Sequence, residues 1–463
     1  GIYHSKFSDN ERVETWQGIL NGRFSFVVGV RSSIFLPFDN LGLIIIDEEH
    51  EPSYKQQDPA PRYHARDAAL VMARIHSAKT LLGSATPSYE SYYQCMQNKR
   101  GLVTLNHRYG ETPLPEIIFA DTKRARKMKE MKNDFTPLVI QSLNECLANK
   151  EQSIVFRNRR GFAPYQTCEE CAYVFKCTNC DVSLTYHMYS NTLKCHYCGY
   201  KEKPSQDCPA CGSTRISTSG FGTEKIEQDL EIILPNARIS RLDTDTTRKK
   251  NSLQEIIGDF ENRRTDVLVG TQMVSKGFDF GNVSLVSIMD ADQILNFPDF
   301  RSFERTFQML IQVSGRAGRR DKKGKVIIQT ANPQHRALQK VVNNDYVALY
   351  NEEISERELF LYPPFSRLIK ITVRHKDKAV AEQASTELAH SLKPQLGAKR
   401  LLGPEWPVID RIRNLYQKQL LIKLEKDKVN LGLAKELIRK EMDKLLSKSS
   451  YRDLYIIADV DPV

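Results

Sequence analysis

Three acids and a histidine, Asp47, Glu48, Glu49 and His50, follow directly on the apolar run LGLIII at 41–46. Acids at the exit of a core strand are costly to bury unless something binds there. Magnesium on nucleotide phosphates takes one or two carboxylates plus waters, and a neighbouring acid then orients an attacking water. Three other segments bring matching chemistry to strand ends. GSAT (83–86) offers the hydroxyls of Ser84 and Thr86. GTQMVSKGFDF (270–280) offers Gly270, Thr271, Gly277 and Asp279, its glycines letting backbone approach a phosphate chain. QVSGRAGR (312–319) sets Gln312 ahead of Arg316 and Arg319, two guanidiniums three residues apart that can meet one phosphate group. Read singly, each is also a turn beside a surface charge. All four, in this order, on strands of two α/β lobes point to nucleotide chemistry.

A second constellation is thiolate-rich. Eight of the ten cysteines fall into four C-x-x-C pairs, 168/171, 177/180, 195/198 and 208/211, while Cys95 and Cys146 stand apart. Tetrahedral zinc takes four thiolates, so eight hold two ions with no position left for water, a structural arrangement. The second and third pairs are separated by a loop close to the usual zinc-ribbon length of about 15–20 residues. The spacing therefore predicts nesting: Cys177, Cys180, Cys195 and Cys198 around an inner ion, Cys168, Cys171, Cys208 and Cys211 around an outer one. CHYCG and CPACG add a glycine after the pair, where a tight turn wants positive φ. The first pair is followed instead by Ala172.

A third stretch, SYKQQDPAPRYHARD (53–67), mixes rings with cations at Tyr54, Arg62, Tyr63 and Arg66. Bases stacked on such rings gain about 1–3 kcal/mol each without any reading of sequence. Arg159 and Arg160 in NRRGFAP, and Arg411 and Arg413 in DRIRNLYQKQLLIK, are further candidates for a phosphate backbone. Each of these sets is also compatible with ordinary solvated loops.

The elements that must position these residues are apolar, β-branched runs alternating with helical stretches. Strands are predicted at 24–30, 41–47, 79–86, 151–156, 266–272, 283–290 and 325–330, the pattern of a buried parallel sheet. The string breaks at the cysteine cluster, which makes the cluster an insertion into an α/β domain. Prolines near TPLPE (112–116) mark a boundary between two α/β lobes. Beyond Asn332 the order becomes strand, helix, two strands, helix, strand, the split βαβ arrangement.

Composition excludes several classes. Hydrophobic content of 40% and charged content of 27% over 463 residues describe a globular chain, not a disordered one. No apolar run approaches the ~20 residues that span a bilayer, and no secretory leader is visible at the N-terminus, so the expectation is cytoplasm, with no membrane partner. The formal charge of +10 favours a polyanionic partner only weakly.

With these motifs in place the sequence resembles a superfamily 2 helicase, and more closely the primosomal protein N′ helicases of bacterial replication restart, along essentially the whole chain. DEEH resembles motif II of that family, GSAT motif III, FGTEKIEQDL (221–230) motif IVa, GTQMVSKGFDF motif V and QVSGRAGR motif VI. The resemblance implies an α/β fold of two RecA-like lobes, the first incomplete, with a zinc-binding insertion in the second and a C-terminal split βαβ domain. The expected divisions are 1–112 (distal lobe 1), 113–166 (start of lobe 2), 167–213 (two-zinc insertion), 214–345 (remainder of lobe 2) and 346–463 (C-terminal DNA- and partner-binding domain).

By the same resemblance Asp47 would hold Mg2+, Glu48 would polarise the hydrolytic water with Glu49 and His50 beside it, and Arg316 and Arg319 would reach the γ-phosphate of ATP, with Gln312 close by. In other phosphoryl-transfer enzymes such arginines are worth about 10³–10⁵ in rate. The aromatic-rich loop would link DNA binding to hydrolysis, and the family suggests the same nested zinc pairing. Implied partners are forked and single-stranded DNA, single-stranded-DNA-binding protein and the primosome's helicase-loading proteins, with the nucleoid as location. Phe278 and Gly281 depart from the His and Pro common in motif V. The chain also contains no G-x-x-x-x-G-K-[ST] loop for cradling phosphates. The expectation is a 3′-to-5′ DNA helicase of which this chain is an N-terminally truncated copy, inactive as an ATPase by itself.

Overall fold

The structure is a computed structural model that describes the chain except for residues 5–6, 106–113, 159–164, 179–181, 188–190, 196–197, 219–222, 244–245, 248–251, 275–277, 279, 319–323 and 463. The described residues form two compact units. One comprises 1–101 with the short segments 368–370 and 458–463; the other comprises 102–367 with 371–457.

In the first unit β1 (Leu43–Ile46), α1 (Ala65–Ile75), β2 (Lys79–Leu82) and α2 (Tyr89–Met96) follow in order. The two strands pair in parallel, Leu43 opposite Lys79 and Ile46 opposite Leu82. Ala65, Ala69 and Ala73 recur every four residues and are buried, so a stripe of small side chains lets α1 lie close to its neighbours. The expected burial on both faces is met on one face only: Ile46 is buried, whereas Leu43, Ile45 and Leu81 are each more than half exposed. The strand expected at 24–30 shrinks to Val28–Gly29. Ser33 folds back into the space a side chain at 29 would fill, and residues Arg31–Phe35 turn as a 3-10 helix.

The second unit is built on a six-stranded parallel sheet. In chain order its strands are β3 (Glu116–Asp121), β4 (Gln152–Arg157), β10 (Ile239–Leu242), β11 (Val267–Gly270), β12 (Val283–Met289) and β13 (Lys325–Thr330). Their spatial order is β10-β11-β4-β12-β13-β3, every pairing parallel. The strand period of two divides the core. Val155 of β4 joins Val139, Leu143, Ile226 and Leu230 from helices α3 (Pro137–Ala148) and α4 (Thr223–Ile233). Its neighbours Ile154 and Phe156 face the opposite cluster with Phe307 and Leu310 of α6 (Ser302–Ser314). The short helix α5 (Ala291–Leu295) follows β12.

Between β4 and α4 lies the cysteine-bearing segment, with β5 (Gln166–Cys168) and β9 (Ile216–Thr218) pairing antiparallel at its base. Further out, β6 (Thr185–His187), β7 (Thr192–Lys194) and β8 (Lys201–Glu202) form a small antiparallel sheet. The C-terminal part runs β14 (Ser366–His375), α7 (Lys378–Leu396), β15 (Leu401–Glu405), β16 (Leu415–Glu425), α8 (Leu431–Leu446) and β17 (Tyr455–Val460). Sheet order β15-β16-β14-β17 is the split βαβ topology. Among the described residues no helix is long and apolar enough to cross a membrane.

Candidate nucleotide, metal and nucleic-acid sites

Asp47 leaves β1 at its carboxyl end, the rim where open α/β sheets bind ligands. The turn after it is pinned by main chain: Gly83 N–H donates to Ile46 O at 2.8 Å and Glu49 N–H to Gly83 O at 3.0 Å. Glu48 sits in the left-handed region at φ 47°, a conformation that costs a non-glycine residue about 1–2 kcal/mol and turns its side chain out of the strand path. Asp47 is exposed, and its Oδ1 accepts the Glu48 N–H at 2.9 Å. A Cβ at Gly83 would lie 3.7 Å from that oxygen, ordinary van der Waals contact, so the carboxylate itself does not demand glycine there. His50 Nδ1 lies 2.7 Å from Ser84 Oγ and 3.5 Å from Glu48 Oε2. Ser84 Oγ in turn accepts the Thr86 N–H at 3.0 Å. DEEH and GSAT are therefore one hydrogen-bonded unit, with an outward acid of the kind Mg2+ takes.

Glu49 and Arg66 go elsewhere. Glu49 is 2% exposed. Its carboxylate accepts from Ser88 N–H at 2.6 Å, Ser91 Oγ at 2.8 Å and Arg66 Nη1 at 2.9 Å. The Arg66 guanidinium also reaches Ser88 Oγ at 2.7 Å and Asp67 Oδ1 at 3.1 Å. Expected at a catalytic site and on DNA respectively, these two residues instead form a buried ion pair tying the acidic turn to the start of α2. A charge spent on an interior partner is not presented to a ligand.

The loop between the acids and α1 is closed on itself, with Lys55 and His64 bridged antiparallel and Gln56 N–H donating to Tyr63 O at 2.8 Å. Tyr54 Oη donates to Asp47 O at 2.7 Å, and burial followed by the charges of Asp47 and Glu51 raises its pKa. Tyr63 packs edge-on against Phe35 at 4.8 Å. Two cations that the spacing did not single out hold the loop. Arg31 donates to Ser53 O and Lys55 O, and the buried Lys55 ammonium to Arg62 O at 2.9 Å and Val460 O at 2.6 Å. Tyr54, Arg62 and Tyr63 are half-buried.

In the second unit Gly270 ends β11, where any side chain would strike Val274, and the Thr271 N–H donates to Leu242 O at 3.4 Å. Gln312 lies in the last turn of α6, and Arg316, just past it, donates from Nη1 to Phe278 O. Gly277, Asp279, Arg319, Arg159 and Arg160 lie outside the described residues.

The cysteines assemble as nested pairs. Cys168, Cys171, Cys208 and Cys211 bring their sulfurs within 4.8 Å of one another, and so do Cys177, Cys195 and Cys198. Cys180 lies outside the described residues. Sγ–Sγ distances are 3.6 Å for 168/211, 3.5 Å for 171/208 and 3.6 Å for 177/198. A tetrahedron with 2.3 Å zinc–sulfur bonds has edges of about 3.8 Å, so the donors fit zinc. Each described knuckle closes with an N–H returning to a cysteine carbonyl: Ala172 to Cys168, Gly199 to Cys195 and Gly212 to Cys208. The three residues share positive φ, 61°, 81° and 72°. Ala172 adopts the glycine conformation despite its Cβ.

Comparison with known proteins adds what geometry cannot. Residues 177–203 match the PriA DNA helicase Cys-rich region (CRR) domain, 213–321 the helicase conserved C-terminal domain, and 358–463 the primosomal protein N C-terminal domain. The chain is 36% identical over 468 residues to the replication restart protein PriA of Treponema pallidum, spanning 100% of this chain and 68% of that one. This chain belongs to the PriA family. It is 42% identical over 442 residues to PriA of Bacillus subtilis and 38% identical over 473 residues to that of Synechocystis. It spans little more than half the length of those two relatives, 54% and 56%.

In the part matching the PriA C-terminal domain, Arg411 and Arg413 are exposed on and beside the short strand Arg411–Ile412, which pairs with β16. The Arg411 guanidinium lies 5.1 Å from the centre of the Tyr416 ring. Lys378 stands 4.9 Å from the Trp406 ring centre and 5.6 Å from that of Tyr416. Trp406 and Lys378 join this cation–aromatic cluster only through folding, since 28 residues of chain separate them.

Proposed function

We propose that this chain serves an ATP-driven 3′-to-5′ DNA helicase activity that recognises stalled or branched forks and initiates primosome assembly. The observation that carries this reading is the DEEH–GSAT unit at the exit of β1, with Asp47 outward, Glu48 in a left-handed turn and His50 bonded to Ser84. In that role Asp47 holds the Mg2+ of ATP and Glu48 orients water. Gln312, Arg316 and Arg319 meet phosphate charge, while Ser84, Thr86, Gly270, Thr271, Gly277 and Asp279 line the nucleotide path. ATP with its metal supplies the phosphoryl group whose transfer drives movement. Tyr54, Arg62 and Tyr63, with Arg159, Arg160, Arg411 and Arg413, contact DNA, whose stacking and phosphate charge need no sequence reading. Two structural zinc ions fold the cysteine insertion. Single-stranded-DNA-binding protein and helicase-loading proteins are the proposed protein partners.

The test has two arms. The 463-residue chain, whose sequence contains no G-x-x-x-x-G-K-[ST] loop, should show no DNA-stimulated ATPase, yet should bind forked over linear DNA with a steep loss of affinity as salt rises. Joined to the upstream part of a family member, it should unwind DNA, and Glu48→Gln should abolish unwinding while DNA binding persists. ATPase from the chain alone, or unwinding that survives Glu48→Gln, would sink the proposal. A second reading, a zinc-dependent DNA-binding and assembly module with a vestigial motor, rests on the cysteine clusters, and for it fork binding would survive and unwinding never appear.

A further inference from the structure

At the carboxyl ends of β3, β13, β12 and β4, beneath the β5–β9 ribbon, lies a cavity of about 230 Å³. It is remote from the arginine-bearing loop after α6. Gly318 N–H donates to Val283 O at the start of β12, whereas the cavity's Asp290 follows its end. Seven residues of strand, roughly 20 Å, separate the two. The cavity lies where strand order reverses: the chain runs from β11 past its neighbour β4 to reach β12 on the far side. Ligands of open α/β sheets occupy such switch-point crevices.

Two groups in its wall are under-used. Arg157, the last residue of β4, is 4% exposed, and its Nε has no hydrogen-bond partner. A buried donor left unmatched is destabilising. Its Nη2 stands 3.9 Å from Asp290 Oδ2, too far for a hydrogen bond. Asp290 is held at φ 57°, and its Oδ1 accepts the Gln293 N–H at 3.3 Å. The adjacent Asp292 is engaged, with Thr330 Oγ1 at 2.6 Å and Ala331 N–H at 2.7 Å. Arg157 and Asp290 thus line the wall together, a guanidinium beside a carboxylate, with the buried Tyr165 ring among the other lining residues.

A volume of 230 Å³ equals that of about seven or eight waters at ~30 Å³ each, and a ~150 Å³ cavity in another protein admits benzene. The space therefore takes a planar ring, and the two side chains ask for an edge carrying an acceptor next to a donor. Guanine presents that edge most fully, O6 toward Arg157 and the N1–H and N2–H pair toward Asp290. Thymine presents one donor between two acceptors and leaves the carboxylate half-satisfied.

We propose that the cavity bounded by Arg157, Tyr165 and Asp290 is a nucleobase site selective for guanine. The base comes either from an unstacked nucleotide of a bound strand, which rests on the DNA-binding reading above, or from a free nucleotide, which does not. Extruding a base from a strand costs a few kcal/mol in a duplex and least where it is already single-stranded.

The 463-residue chain is titrated with guanosine 5′-monophosphate and thymidine 5′-monophosphate by calorimetry, and with all-thymine and single-guanine 15-mers by anisotropy. The guanine forms should bind at least tenfold tighter in both pairs. Asp290→Asn, which tolerates the left-handed backbone, and Arg157→Lys should erase that difference while leaving the thermal melt and all-thymine binding unchanged. Equal affinity for the two mononucleotides, or a guanine preference that survives Asp290→Asn, overturns the site. Loss of all oligonucleotide binding with mononucleotide preference intact overturns the strand source and the DNA reading, and leaves a free-nucleotide site.

Discussion

The acidic turn of the first unit and the cysteine insertion of the second hold comparably tight geometry by opposite means. The turn at Asp47–His50 is fixed from within by the β1–β2 ladder and by the buried Glu49–Arg66 pair, so its outward acid needs no ligand to stay in place. The insertion has only a small core, chiefly Phe175, Val182, Leu184 and Leu193 around the cysteines, and its knuckles are residues of positive φ whose thiolates converge on the same points. Charge set against charge stays where the chain puts it. Thiolates set against one another need a cation between them.

Metal removal should break the comparison most strongly. Apparent zinc free energies run about 10–16 kcal/mol, at least the gross burial of four such side chains at about 1.5–3 kcal/mol each, before chain entropy is subtracted. Elemental analysis should find two zinc per chain, and Cys195→Ser or a strong chelator should unfold residues 167–213, seen as new protease cleavage, while the first unit keeps its melt. Next in size is Glu49→Gln, which takes from Arg66 its buried partner and leaves it only the more exposed Asp67, and should destabilise the first unit by about 3–5 kcal/mol without altering zinc content. Chemical denaturation with parallel metal analysis checks both halves of that statement.

The knuckle backbones should give smaller and opposite shifts. Ala172→Gly should stabilise the insertion by about 1 kcal/mol, because the left-handed region costs any residue with a Cβ. Gly199→Ala should destabilise it by more than that, since Glu405 occupies the place of the new methyl group. Hydrogen exchange of the knuckle amides would read both.

A pH effect is shared by the two units. Burial, then Arg66, pushes His64 down to about 4; burial, then Arg336, does the same to His335. Each stays neutral in the fold while the unfolded chain takes up a proton below about 6.5, so stability is full above that value and falls as pH drops toward 4. His64→Gln should flatten this slope for the first unit and His335→Gln for the second. Melts between pH 4 and 7 would show it.

Reading the sequence recovered what repeats locally. The runs at 151–156, 266–272, 283–290 and 325–330 are central strands, and their near-continuous apolar character follows from burial on both faces. The two strands of this six-stranded sheet that it missed, Glu116–Asp121 and Ile239–Leu242, are its edges, where polar residues such as Ser240 and Arg241 interrupt the pattern. Spacing also yielded the cysteine nesting, because a ribbon's loop length is a local constraint. It could not assign Glu49 and Arg66, whose pairing depends on how β1 and α1 pack. Nor could it find Arg31, Lys55 or the Arg157–Asp290 pair, which only folding brings to their partners.

The core of the cysteine insertion is not sealed by its own residues. Phe300, ahead of α6, and Leu402, on β15, pack against it, and Lys194 reaches Glu405 at 2.5 Å. An insertion plugged by two foreign hydrophobes cannot be exchanged as a cassette between relatives. Grafting it elsewhere would leave greasy holes on the graft, and excising it would strip a cover from the helicase sheet and from the terminal domain together.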